Sequence, residues 1–157
     1  MQGAILNKGE SYYTNLKAIF MKLNNFQTDY NWLISNAECY PSNKIYAEML
    51  SEKICWLKGD QLTELIQEEF QWAWGVLSGF EKSVSFEEII TYEIPYADGN
   101  ENLWKNPIAL QHPLAIHEII AWDSSLTIIK SKDSKIVNDF MKNYPLSQKL
   151  EDYNSSF

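Results

Sequence analysis

Residues 115–144 read A-I-H-E-I-I-A-W-D-S-S-L-T-I-I-K-S-K-D-S-K-I-V-N-D-F-M-K-N-Y, and this stretch decides the fold. Ile116 to Trp122 is rich in β-branched and aromatic side chains, which suit a pleated surface. Asp123-Ser124-Ser125 is turn chemistry, because short polar side chains bond nearby backbone groups. Leu126 to Ile129 resumes the apolar run, so the two halves form a β-hairpin. Both runs are nearly continuous, as in central strands covered by helices. Asp133 or Ser134 caps a following helix, in which Ile136, Val137, Phe140, Met141 and Tyr144 recur at helical spacing. Pro145 stops that helix near Tyr144.

Working outward, Gln2 to Leu6 is a short apolar opening, and Tyr12, Leu16, Ile19, Phe20 and Leu23 mark one face of a helix. Tyr30 to Ser35 is a strand, which Asn36-Ala37 turns into Glu38 to Tyr40. Ser42 to Leu57 allows a helix, a short strand at Ile54–Leu57, or both. Gly59-Asp60 opens a helix with Asp60 as N-cap. Phe70 to Leu77 is a strand that Ser78-Gly79 closes, with Trp72 and Trp74 on one face. Ser85-Phe86-Glu87-Glu88 matches a capping box, in which serine and glutamate satisfy each other's backbone donors. Residues 93–113, with three prolines and Asp98-Gly99, form a long loop, a kind often functional in compact domains. Residues 151–157 read as a frayed tail. The expectation is one α+β domain over residues 1–157. It is a mostly antiparallel sheet of about five or six strands with three or four helices against it.

The 157 residues are 45% hydrophobic and 14% aromatic, enough for a real core and against disorder. There is no apolar run of membrane-spanning length and no secretory signal pattern, so a cytoplasmic protein with no membrane contact is expected. From Asp60 to Glu101 there are ten acids against one base, Lys82, a net −9 in a chain whose total is −8. All thirteen basic residues are lysines. Arginine is the usual group for bidentate phosphate and guanine contacts, so nucleic acid is not expected as a partner. An acidic surface suits a basic protein instead, and otherwise serves solubility alone.

No catalytic motif is present. His112 and His117 are the only histidines, too few for a metal site, and His117 and Glu118 point to opposite faces of their strand. Cys39 and Cys55 lack C-x-x-C spacing and read as inert reduced thiols. Asp123-Ser124 lacks the histidine and strained elbow of a serine nucleophile. Glu68-Glu69 and Glu87-Glu88 are adjacent carboxylates, which on a helix do not share a face. No cofactor and no metal are expected. The residues expected to bind a partner are Glu68, Glu69, Glu93, Asp98 and Glu101, with Trp104 as an aromatic anchor in the acidic loop.

Three stretches carry a family resemblance. They are Y-N-W-L-I-S-N-A-E-C-Y from Tyr30, G-D-Q-L-T-E-L-I from Gly59, and I-I-A-W-D-S-S-L-T-I-I-K-S-K-D-S-K-I-V-N-D-F from Ile119. The layout resembles an uncharacterised domain family of Bacillus-type bacteria and, more loosely, the immunity proteins of polymorphic toxin systems. The resemblance implies a fold and no catalytic residues. It also implies a small acidic protein that neutralises a cognate toxin by direct binding rather than an enzyme. The alternatives are a small enzyme using acids near residues 93–113, or a regulatory interaction module.

Overall fold

The computed structural model describes residues 1–157. One antiparallel sheet of seven strands runs β3-β2-β4-β5-β6-β1-β7. The strands are β1 (Gln2–Leu6), β2 (Asn31–Cys39), β3 (Ile54–Lys58), β4 (Trp72–Phe80), β5 (His117–Trp122), β6 (Leu126–Ser131) and β7 (Gln148–Lys149). The helices are α1 (Leu16–Lys22), α2 (Lys44–Ser51), α3 (Gly59–Leu65), α4 (Phe86–Ile89), α5 (Ser134–Asn143) and α6 (Leu150–Ser155). The α+β class is as expected, with more strands and helices than the sequence suggested. None of the helices is long and apolar enough to cross a membrane.

The hairpin forms as its residues require. Trp122 pairs with Leu126, and Asp123 and Ser124 take positive φ in the turn. Asp133 caps α5 by accepting from the Lys135 N–H. The apolar stripe of α5 then lays Ile136, Val137 and Phe140 into the larger core.

That core lies on the sheet face covered by α1, α2, α3 and α5. Trp32 is fully buried there and donates its indole N–H to the Gln27 carbonyl at 3.0 Å. Its ring lies over Gly79, where a Cβ would come within 2.9 Å of the indole, so only glycine fits without a shift. Beside it the His117 ring stacks on Trp32 at 6.2 Å. The opposite face carries two smaller clusters, one around Ile5, Val76, Ile120 and Ile128, the other around Leu33 and Phe80. It is covered by α4, α6 and the residues between 93 and 113.

Several sequence expectations need correction. Asn36 does not turn the chain: it sits at φ +49° inside β2 as a bulge, and β2 continues to Cys39. A compensating extra residue in β4 follows, since Glu38 pairs with Trp74 and Cys39 with Trp72. An extra residue breaks the two-residue alternation, so Trp72 and Trp74 end on opposite faces. β4 also runs through Ser78-Gly79 to Phe80. Helix α1 starts at Leu16 under an Asn15 cap, leaving Tyr12 outside it. Lys58, not Asp60, is the N-cap position of α3. The last residues are not a frayed tail: α6 buries Leu150 against the sheet and Asn154 against the segment after Leu103, whose carbonyl accepts from Asn154 Nδ2. The only regular structure in residues 93–113 is a 3-10 turn at Glu101–Trp104.

Candidate functional site

The bulge in β2 positions the first feature. Ser35 Oγ and Asn36 Nδ2 both donate to the Pro95 carbonyl, each at 2.8 Å, which pins the segment from Glu93 to Tyr96 onto the sheet. An open cleft of about 780 Å³ results. Four carboxylates line it, Glu38, Glu52, Glu93 and Asp98, with Trp74, Tyr96 and a single base, Lys53. Nowhere in the chain are three or more His, Cys, Asp or Glu side chains arranged to hold a metal ion. With four carboxylates against one lysine, the cleft carries a negative field beside Trp74 and Tyr96, which attracts cationic groups.

Trp74 also opens the second feature. Its ring meets Trp122 edge-on at 4.8 Å, and Trp122 meets Trp104 at 4.9 Å and 85°. Trp104 continues to Tyr153 at 6.0 Å, and Tyr153 to Phe157 at 4.9 Å. All three indoles are half-buried. Trp104, Trp122, Leu126, Tyr153 and Phe157 line an apolar groove of about 450 Å³. Edge-to-face packing holds these rings in place, so they present apolar area already ordered.

The residues expected to bind a partner are only partly brought together. Glu93 and Asp98 share the cleft. Trp104 is no lone anchor in an exposed loop; it is one rung of the aromatic row, and Glu101 is exposed at the start of the same 3-10 turn. Glu68 and Glu69 lie outside the cleft. Glu68 accepts from the Ser42 and Asn43 N–H groups at 2.7 and 3.1 Å, and Glu69 from the Tyr12 hydroxyl at 3.3 Å. The acidic run in sequence is thus not one patch in space. Glu38 and Glu52 come from outside it, and no local signal marked them. The exposure of Trp74 depends on paired bulges that alternation does not reveal.

The groups that invited chemistry are otherwise engaged. His112 Nε2 lies 2.9 Å from the Ile89 carbonyl, and its Nδ1 accepts from the Leu114 N–H. His117 Nδ1 lies 2.8 Å from Ser131 Oγ, and burial lowers its pKa to about 4. Cys39 and Cys55 are free and half-buried. Burial, with a smaller contribution from Cys55, pushes the Cys39 thiol up to about 12, which removes its nucleophilic form at neutral pH.

Beneath residues 93–113 lies an ion pair. Glu118 and Lys130 face each other across β5 and β6, with Nζ 2.6 Å from Oε1 and both side chains almost wholly buried. Glu118 Oε2 accepts from the Gln111 N–H at 2.9 Å, and Lys130 Nζ donates to the Ala109 carbonyl at 2.7 Å. The pair therefore gives the covering segment backbone partners that a sheet face cannot otherwise supply. No protein-family model matches the chain, and no curated protein or solved structure is significantly similar to it.

Proposed function

We propose that this chain is a binding protein for a basic protein partner, and that it acts as an immunity protein, neutralising a bacterial toxin in the cytoplasm by direct binding. The observation that supports the reading is the junction at Trp74, where the four-carboxylate cleft runs into the row Trp74–Trp122–Trp104. Exposed acids raise the encounter rate with a basic surface, and ordered indoles supply short-range affinity. The resemblance of the hairpin and its flanking helix to immunity proteins gives the partner its class. Glu93, Asp98, Glu101 and Trp104 keep their proposed role in binding. Glu68 and Glu69 would serve the general negative field rather than direct contact.

The test starts with the chain immobilised and exposed to extract of the producing bacterium at low salt. Wild type should retain a basic protein that Trp122→Ala and the double variant Glu93→Lys/Asp98→Lys both lose. Expressed alone, that protein should arrest growth, and co-expression with wild type should restore it. Equal retention by all three forms, or a captured protein without toxicity, would refute the proposal.

A further inference from the structure

A second cleft, of about 370 Å³, shares Glu93, Ile94 and Tyr96 with the acidic one. That volume is in the range of small-molecule pockets. Its apolar walls include Ile94, Leu103, Pro107 and Leu110, and its polar groups include Gln111 and Lys130. Gln111 brings a buried donor that no protein atom accepts, and Lys130 brings a buried ammonium with donor capacity to spare. Gln111 Oε1 accepts from the Tyr96 N–H and from Asn100 Nδ2, both at 3.0 Å. Its Nε2 is buried and has no partner. The Lys130 ammonium has three protons. One goes to the Ala109 carbonyl and one side faces Glu118, which leaves the third without an acceptor. A buried donor without a partner leaves its desolvation uncompensated. Two of them in one cleft wall define a place short of an acceptor.

The charges around the cleft decide which acceptor. Lys130 is neutralised by Glu118 directly behind it. Glu93 and Lys105, both in the lining, offset each other. A ligand that added a full negative charge would find no compensating cation. A neutral carbonyl oxygen takes both donors and leaves the balance unchanged. We infer that this cleft binds a small neutral molecule with an amide-type carbonyl and an apolar body. The carbonyl oxygen would accept from Gln111 Nε2 and Lys130 Nζ, and the body would lie against Ile94, Leu103 and Leu110. The inference does not rest on the proposed protein partner: Glu93 lines both clefts, but the donors here are Gln111 and Lys130, and the aromatic row is not involved.

Benzamide and benzoate are near-isosteric probes that differ in charge. In a titration of the full chain followed by NMR, benzamide should give saturable shifts in the Gln111 side-chain NH₂ signals. Benzoate should bind at least fivefold more weakly. Gln111→Glu keeps the oxygen that holds Tyr96 and Asn100 but removes the donor, and should weaken benzamide at least fivefold. Ala109→Phe changes an exposed rim residue, leaves the backbone carbonyl that Lys130 uses, and fills the cleft; a folded Ala109→Phe chain should not bind benzamide. A crystal grown with saturating benzamide should show the carbonyl against Gln111 and Lys130. Ordered water alone in that cleft, benzoate binding as tightly as benzamide, or benzamide bound equally well by Ala109→Phe would each overturn the inference.

Discussion

On one face of the sheet, Trp32 lies over Gly79 and stacks on His117; on the other, strands β4, β5 and β6 present Ser78, Glu118 and Lys130. The difference follows from what covers each face. Helices satisfy their own backbone groups, so α1, α3 and α5 offer the sheet side chains, and most of the packing there is apolar. Residues 93–113 have almost no regular structure and arrive with backbone N–H and C=O groups that need partners. The sheet answers with a carboxylate for the Gln111 N–H and an ammonium for the Ala109 carbonyl. The loop-covered face is the one that carries the acidic cleft, the smaller cleft that shares Glu93–Tyr96 with it, and the half-buried indoles Trp74, Trp104 and Trp122. A face finished by polar contacts leaves room for ligands, whereas one finished by apolar interdigitation does not.

Substitutions on the two faces should differ in kind. Phe140→Ala opens a cavity on the helix-covered face and should cost about 3–5 kcal/mol, measured by denaturant unfolding. Lys130→Met on the other face should cost about as much, roughly 3–5 kcal/mol, because it strands the Glu118 carboxylate. The contrast appears in rescue. The double variant Glu118→Leu/Lys130→Met removes both charges and should recover much of that loss, leaving the cost of the unpaired loop backbone groups. No second change of polarity will rescue Phe140→Ala. A double variant no more stable than Lys130→Met would mean that the loss comes from the loop backbone groups left unpaired and not from a stranded carboxylate.

His117 extends the comparison to pH. Folded, it titrates at about 4 because burial disfavours its charged form, an effect partly offset by Asp133. Unfolded, it should titrate near 6.5. The stability contributed by keeping it neutral is therefore complete above pH 6.5, declines as pH falls from there towards 4, and declines no further below. The total loss is about 3 kcal/mol, from a window of about 2.5 pH units. A His117→Gln chain should show a shallower fall in stability across that window, read from urea midpoints at several pH values.

The smallest effects on folding belong to the aromatic row and the acidic cleft. The combined reversals Glu93→Lys and Asp98→Lys should shift stability by about 0.5 kcal/mol per site or less in thermal melts, since such surface changes seldom matter to the fold. Trp104 and Trp122, half-buried against each other, should cost somewhat more on truncation.

Much of the fold was legible because hairpin, capped helix and apolar stripe are local signals. The ion pair was legible too in principle: Glu118 and Lys130 are each four residues outside the Trp122–Leu126 pair, so a hairpin must set them opposite each other. The site was less so. Trp74 changed faces because two bulges were invisible to a strict alternation. The cleft drew Glu38 and Glu52 from β2 and the end of α2, both outside the acidic run. α6 was missed because its short polar sequence looks like a tail until Leu150 and Tyr153 find the sheet.

The central claim, that the acidic cleft and the indole row form one binding surface, is tested most directly by association kinetics with the captured partner. Rates would be measured for wild type, Glu93→Lys/Asp98→Lys and Trp122→Ala at 0.05 M and 1 M salt. The account predicts that charge reversal slows association at low salt by about tenfold or more. That difference should shrink at high salt, where the Debye length is only about 3 Å. It predicts that Trp122→Ala chiefly speeds dissociation, at both salt concentrations. Association and dissociation rates identical to wild type in both variants would contradict it.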